Sequence, residues 1–251
     1  MWCVPELNDE YIERMEDVLE LYARPFNSKE PVVALDERPV QLLDSARVGI
    51  PMQPGKPSRR DYEYVRRGTA NIFCVVEPLT GDRLTRATRN RTGASYARML
   101  ARIAKRYSYA RTIHLVQDNL STHTERSLTT ALGGREGRKL WRRFTVHYPP
   151  KHGSWLNPAE IEASLVGREC LGNRRLGDLA TLRREVTAWR KLASHQNRTI
   201  DWKFRVHDAR RVFRYDGIKS GRTRHVLCPR HFDCRSRLRW CRTWRWFSQE
   251  G

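Results

Sequence analysis

Apolar residues recur at helical spacing in three stretches of the chain and crowd into short continuous runs between them. Tyr11, Met15, Val18, Leu19 and Tyr22 fall three or four apart behind Asn8, a capping residue type. That spacing predicts an amphipathic helix over residues 8–23, stopping before Pro25, with an acidic outer face turned to solvent. Tyr96, Met99, Leu100, Ile103 and Tyr107 predict a second helix over 94–107, with Arg98, Arg102, Lys105 and Arg106 off its apolar stripe. Leu179, Leu182, Val186, Trp189 and Leu192 predict a long helix over 178–194. Shorter helices are expected from around Thr122 to Leu132 and over 158–170.

The runs between them read as strands. Residues 32–36 follow Pro31 and end in Asp36, and residues 112–118 end in Asp118, so each run delivers a carboxylate at its tip. Residues 69–77 and 83–88 flank a turn at Gly81 and Asp82 and predict a hairpin. Residues 143–148 form a last strand, halted by Pro149 and Pro150. Residues 45–68, with Pro54, Gly55 and Pro57 among arginines, read as an extended basic loop. The order predicts an α/β fold: a mixed sheet flanked by helices, with its chemistry at strand ends. Past Asp216 the periodicity decays into an irregular basic tail. The expected division is an acidic lead-in over 1–30, a catalytic domain over 31–212 and the tail over 213–251.

Charge sharpens this picture. The 251 residues carry 48 Lys and Arg against 28 Asp and Glu, a net +20. Residues 1–45 hold 11 acids and 4 bases, so the excess of positive charge lies beyond them. A partner of high negative charge is implied, nucleic acid before anionic membrane. No apolar run approaches a membrane span and Met1-Trp2-Cys3 does not open a signal peptide, so a cytoplasmic protein is expected. Six dispersed cysteines do not suit a disulfide scaffold.

Asp36 and Asp118 at strand tips, with Glu160 where a helix starts after Asn157 and Pro158, place three carboxylates on separate elements that can converge. Ionised carboxylates repel one another unless a hard cation neutralises them, and Mg²⁺ or Mn²⁺ prefers such oxygen donors. Two such ions about 4 Å apart activate a water or a 3′-hydroxyl and stabilise the leaving oxygen of a phosphodiester. Carboxylates of this kind on a basic protein point to a nuclease or a strand-transfer enzyme. Glu162 is a rival to Glu160, two residues along and facing another direction.

The wording around these acids carries a resemblance. Residues 35–39 (Leu35, Asp36, Glu37, Arg38, Pro39), 117–123 (Gln117, Asp118, Asn119, Leu120, Ser121, Thr122, His123) and 152–160 (His152, Gly153, Ser154, Trp155, Leu156, Asn157, Pro158, Ala159, Glu160) resemble the catalytic blocks of DDE transposases. The nearest look is to the bacterial insertion-sequence branch of the mariner-like superfamily. Asp61 to Tyr64, Gly68 to Asn71 and Tyr148 to Pro150 add to it, so the resemblance spans roughly residues 1–210 in order. It implies a ribonuclease H-like fold and two Mg²⁺ or Mn²⁺ ions, with Asp36 bridging both metals, Asp118 holding one and Glu160 the other. It further implies transposon-end and target DNA as partners and a homodimer on paired ends.

Around the triad, His123 is expected either to support the site or to contact DNA. Asn157 caps the helix or orients Glu160, and Asn119 stands beside Asp118. Arg59, Arg60, Arg66, Arg67, Arg86, Arg89 and Arg91, flanking the site in sequence, Arg142 and Arg143 beside the last strand, and Lys151 and His152 just before the helix of Glu160 are the expected phosphate contacts. Asp118 and Glu160 lie 42 positions apart, longer than usual in the family, with residues 133–138 as an expected inserted loop. Only one acidic helix precedes the catalytic blocks, so the family's helix-turn-helix end reader is not expected here. The implied activity is DNA hydrolysis and strand transfer; the alternatives are an inactive DNA-binding relic or a stand-alone nuclease. In the tail, His225, Cys228, His231 and Cys234 recur every three residues, and Trp240, Trp244, Trp246 and Phe247 interleave with arginines. These suit a zinc site or base stacking, set against an unfolded end.

Overall fold

The computed structural model describes residues 7–59 and 61–215. Cys3, Arg60 and the tail's histidines, cysteines and tryptophans lie outside the described residues. Five strands form one sheet in the order β3-β2-β1-β4-β5: β1 Val32–Ser45, β2 Tyr64–Val76, β3 Arg83–Thr88, β4 Ile113–Val116 and β5 Phe144–His147. β1, β2 and β3 run antiparallel, while β4 and β5 lie parallel to β1. This is the ribonuclease H-like sheet that the resemblance implies. Helices α1 Asp9–Ala23, α2 Gly93–Arg106, α3 Glu125–Leu132, α4 Gly134–Trp141, α5 Ala159–Leu165, α6 Leu179–His195 and α7 Val206–Phe213 flank it. Among the described residues no helix is long and apolar enough to cross a membrane.

Strand alternation divides the core. Val33 and Leu35 of β1 join Phe73 and Val75 of β2 against Tyr96, Met99, Leu100 and Ile103 of α2. On the other face, Ile72 and Cys74 pack on Leu165, Leu182, Val186 and Trp189 from α5 and α6. Leu192, placed on the apolar stripe by its spacing, is 60% exposed, and the stripe of α6 continues from Trp189 to Ala193 instead.

Three expectations need correction. β1 does not end at Asp36. It continues to Ser45, paired with β2 throughout and kinked by a register shift at Leu42/Leu43. The expected basic loop is therefore partly a two-stranded arm. The first six residues of β2, Tyr64 to Thr69, are exposed. That stretch of β2 has no buried face and shows no period-two signal, so it reads as loop, whereas Leu42 on the β1 side is buried with the residues of α5 and α6. Arg175 braces the outer end of the arm by donating to the carbonyls of Asp61, Tyr62 and Glu63, just before β2 begins. Finally, the expected inserted loop at 133–138 is mostly α4. Gly133 turns the chain at φ 89°, and Gly137 brings α4 so close to α3 that a Cβ there would stand 2.5 Å from the backbone of Thr129.

α1 is held inside the domain body rather than beside it. Asn8 caps it by accepting from the Tyr11 N–H, and its apolar face packs with Leu156, Trp202 and Ala209. The solvated acidic face expected for it is incomplete, because Glu16 is buried and accepts from Arg210 at 2.9 and 3.1 Å and from the Tyr215 hydroxyl at 3.0 Å. Asp17 reaches β5 through His147, whose Nδ1 lies 2.7 Å from its carboxylate, and His147 Nε2 lies 2.9 Å from His114 Nδ1.

Burial holds the pKa of His114 below its ordinary 6.5, helped by the charges of His147 and Arg24 and opposed by Glu30 and Asp17. Hydrogen bonding to His147 lowers that of Asp17. The unfolded chain therefore binds a proton at position 114 before the folded one does, and stability falls as pH drops below 6.5. Asp17 adds a loss of the same sign below its ordinary 3.8. Protection factors of α1 amides, the observed exchange rates corrected for the intrinsic rate at each pH, are expected to fall over that first window; unchanged protection would contradict it.

Candidate active site

Asp36 sits in the middle of β1, two residues past Ala34, where pairing with β4 ends, and its Oδ1 accepts from the Glu37 N–H at 2.7 Å. β4 stops at Val116, so Asp118 follows in a loop at the same end of the sheet. α5 starts at Ala159 and presents Glu160 in its first turn. The three acids share one electrostatic environment: burial, together with the negative charges of Glu160, Asp118 and Glu37, raises the pKa of Asp36 to about 7. All donors are carboxylate oxygens, the type a hard divalent cation takes, and their mutual repulsion is what such an ion would relieve. The residues present fit the metal implied by the resemblance in this sense. They do not enclose it: among the described residues no group of three His, Cys, Asp or Glu side chains is assembled as an ion site.

Glu162 is not an alternative ligand. Its carboxylate is fully buried and accepts from Arg83 Nε at 3.0 Å, and Arg83 donates also to the carbonyls of Gly81 and Arg198. One residue of the Glu160/Glu162 pair thus lines the site and the other locks α5 to the edge of the sheet.

Asn157 holds the start of α5, and its amide nitrogen goes to β1 and not to the Glu160 carboxylate. Its Oδ1 accepts from the Ala159 N–H at 3.1 Å at the start of α5, and its Nδ2 donates to the carbonyl of Leu35 at 3.0 Å. One buried amide therefore joins the helix of Glu160 to the strand of Asp36. Asn157→Ala strands both backbone groups at a cost of about 1–3 kcal/mol. Thermal melting is expected to show that loss, and an unchanged melting temperature would deny the clamp.

His123 is buried, which removes DNA contact from its two expected roles. It stacks on Tyr96 with ring centroids 4.5 Å apart. Its Nδ1 lies 2.7 Å from Asp118 Oδ1, and its Nε2 lies 3.1 Å from Glu37 Oε1. Burial opposes its charge, but the hydrogen bonds and charges of Asp118 and Glu37 prevail and push its pKa up to about 9. Protonated, it bridges two carboxylates and fixes one oxygen of Asp118, whose side chain stays half-exposed. Glu37 was missed in the sequence, where it reads only as the neighbour of Asp36. Strand alternation turns it to the opposite face, toward His123.

Of the expected phosphate contacts, Arg59, Arg66, Arg67, Lys151 and His152 are exposed. Arg67 donates to Asp44, and the Arg66 guanidinium lies 6.0 Å from the centroid of the Tyr64 ring. Lys151 and His152 occupy the turn just before α5, with His152 at φ 63° and Gly153 packed under Pro150. Asn119 is exposed beside Asp118.

Residues 31–183 match a family profile described as DDE superfamily endonuclease. Among solved structures, the Mos1 mariner paired end complex with Mn is similar, with a TM-score of 0.48 and 17% identity over 77% of this chain and 61% of that one. The Mos1 transposase paired-end complex with left transposon end has a TM-score of 0.48 at 17% identity, over 78% of this chain and 61% of that chain. For the Mos1 Strand Transfer Complex the values are 0.47 and 16%, over 77% and 60%. The matched region thus spans about three fifths of the length of those chains. No protein of curated function matches. The profile match takes in well over half of the 251 residues, among them Asp36, Asp118 and Glu160, and the chain belongs to the DDE superfamily of endonucleases.

Proposed function

We propose that this chain is the catalytic domain of a transposase, hydrolysing DNA phosphodiester bonds with a divalent metal and then joining the freed 3′-hydroxyl to a target. What supports this reading is that Glu160 and Asp118, from two other elements, both act on the charge of Asp36 in a chain of the DDE superfamily with net charge +20. These three carboxylates would hold Mg²⁺ or Mn²⁺, two ions in the full reading. The metal would supply a nucleophile active at neutral pH and would neutralise charge on the leaving oxygen.

The chain's own part is positioning. His123, wedged between Glu37 and Asp118, sets the direction in which Asp118 presents its free oxygen. Asn157 holds Glu160 at a fixed distance from β1. Lys151, His152, Arg59 and Arg66 are exposed to hold phosphates without reading bases. The proposed partners are transposon-end and target DNA, engaged by two copies of the chain in the cytoplasm.

The test is nicking of supercoiled plasmid by the purified chain with Mn²⁺, with Mg²⁺ and with a chelator, at matched salt. Metal-dependent nicking supports the reading. DNA binding without nicking under every metal condition would make the chain an inactive relic.

A further inference from the structure

Residues 83–117 contain nine Arg and Lys and no Asp or Glu. Three of these bases are neutralised in the fold: Arg83 by Glu162, Arg106 by Asp82 and Arg111 by Glu30. Arg86, Arg98 and Arg102 are not. All three are exposed, and no described carboxylate lies within ion-pair distance of them.

The fold gathers these three with a fourth arginine. Arg86 projects from β3, the edge strand, opposite Phe73, which places it on the face covered by α2. Arg98 and Arg102 are one helical turn apart on α2. Arg183 comes from α6 on the other face and reaches around the edge, its Nε donating to the carbonyl of Ala87 at 3.3 Å. Burial and the charges of Arg102, Arg183 and Arg98 all act to lower the pKa of Arg86, and no acid is among the groups acting on it. Like charges gathered in this way from three elements destabilise the free protein, and an anion relieves them.

A second observation points to the same place. Asn71 lies on the same face of β2 as Phe73 and pairs in register with Thr88, two residues along β3 from Arg86. It is 3% exposed, yet neither its amide nitrogen nor its amide oxygen has a hydrogen-bond partner. A buried amide of this kind beside a set of free arginines is a donor without an acceptor. Arginine's planar fork matches phosphate oxygens in pairs, and four forks along a strand edge suit a row of phosphates better than a single ion.

We propose that Arg86, Arg98, Arg102 and Arg183, at the β3 edge, form a binding site for the sugar–phosphate backbone of duplex DNA, separate from the carboxylates. Asp36 faces the α5 side of the sheet and Arg86 the α2 side, so a duplex held here is a second segment or a distant part of the cleaved one. The site rests on the proposed function only for the choice of DNA among polyanions.

The test is the salt dependence of binding of the full chain to a labelled duplex of about 30 base pairs, where each lost phosphate contact lowers the log–log slope by about 0.9. Arg86→Gln/Arg102→Gln is expected to flatten the slope by about 2 and to weaken binding about tenfold per lost contact near 0.1 M salt. Arg111→Gln, whose charge is already paired with Glu30, is expected to change it by well under one unit. Arg98→Gln/Arg102→Gln repeats the test on the exposed face of α2 without touching the strand. Slopes equal to the parent in both double variants overturn the site, and so does an equal loss in Arg111→Gln. Plasmid nicking measured alongside separates the two proposals. Arginine-dependent binding without nicking sinks the catalytic reading alone, whereas nicking with unchanged slopes sinks this site alone.

Discussion

Asp36→Asn is expected to abolish metal-dependent nicking while duplex DNA still binds. A metal-polarised phosphodiester gains several kcal/mol of transition-state stabilisation, so losing one ligand lowers the rate by about three orders of magnitude or more. Asn keeps the shape of the side chain and can still accept from the Glu37 N–H through Oδ1. It removes a charge that burial and the neighbouring Glu160, Asp118 and Glu37 already disfavour. The variant is thus expected to melt at the parent temperature or above it, because relieved repulsion offsets the change. Affinity for DNA comes from exposed cations elsewhere and is expected to stay within about twofold. Glu160→Gln is expected to behave alike. Nicking rates, anisotropy with labelled duplex and thermal melts are the three readouts. Persistent nicking in either variant would remove that acid from the mechanism, and joint loss of folding and binding would make it structural.

The second large effect belongs to the neighbouring acid and has the opposite signature. Glu162→Gln leaves Arg83, 1% exposed and held by backbone carbonyls of Gly81 and Arg198, without its counter-charge. Breaking a buried pair from one side costs about 3–5 kcal/mol. For a domain of this size that is a fall in melting temperature of about 6–20 °C. The fraction still folded is expected to nick plasmid normally, since Glu162 points away from Asp36 and Asp118 into the Arg83 site. Two carboxylates two residues apart on one helix, one needed for rate and the other for stability, make a sharp internal control. A variant that melts normally but fails to nick would reverse the assignment.

Much of the architecture was legible in the spacing of apolar residues, and where it was not, the reason is physical. α1, β3 and α6 emerged close to their expected bounds, with Asn8 and Asp178 as caps, because each has one buried face and a polar terminus. The start of β2 did not, since six consecutive exposed residues have no periodicity to read, and in the outer half of β1 only Leu42 is fully buried. α4 was missed because its glycines read as loop, although Gly137 is there to admit α3 at close range. α7 was missed because it is only eight residues long, and the helical spacing of Val206, Ala209 and Phe213 is too short a pattern to stand out.

The site divides along the same line. By itself the sequence determined the three acids, the order of the elements that carry them and the positive charge of the surface, because residue type and spacing are local properties of the chain. The wording of residues 157–160 already favoured Glu160 over Glu162, but what Glu162 does instead was decided only by packing, since the buried guanidinium that claims it comes from Arg83, 79 residues away. The same holds for His123. Five residues from Asp118, it reads equally as a support of the site or as a DNA contact, and only the fold buries it between Asp118 and a carboxylate 86 residues upstream. Contacts of that length leave no periodic trace in a sequence, because the partners meet through the sheet and not along the chain.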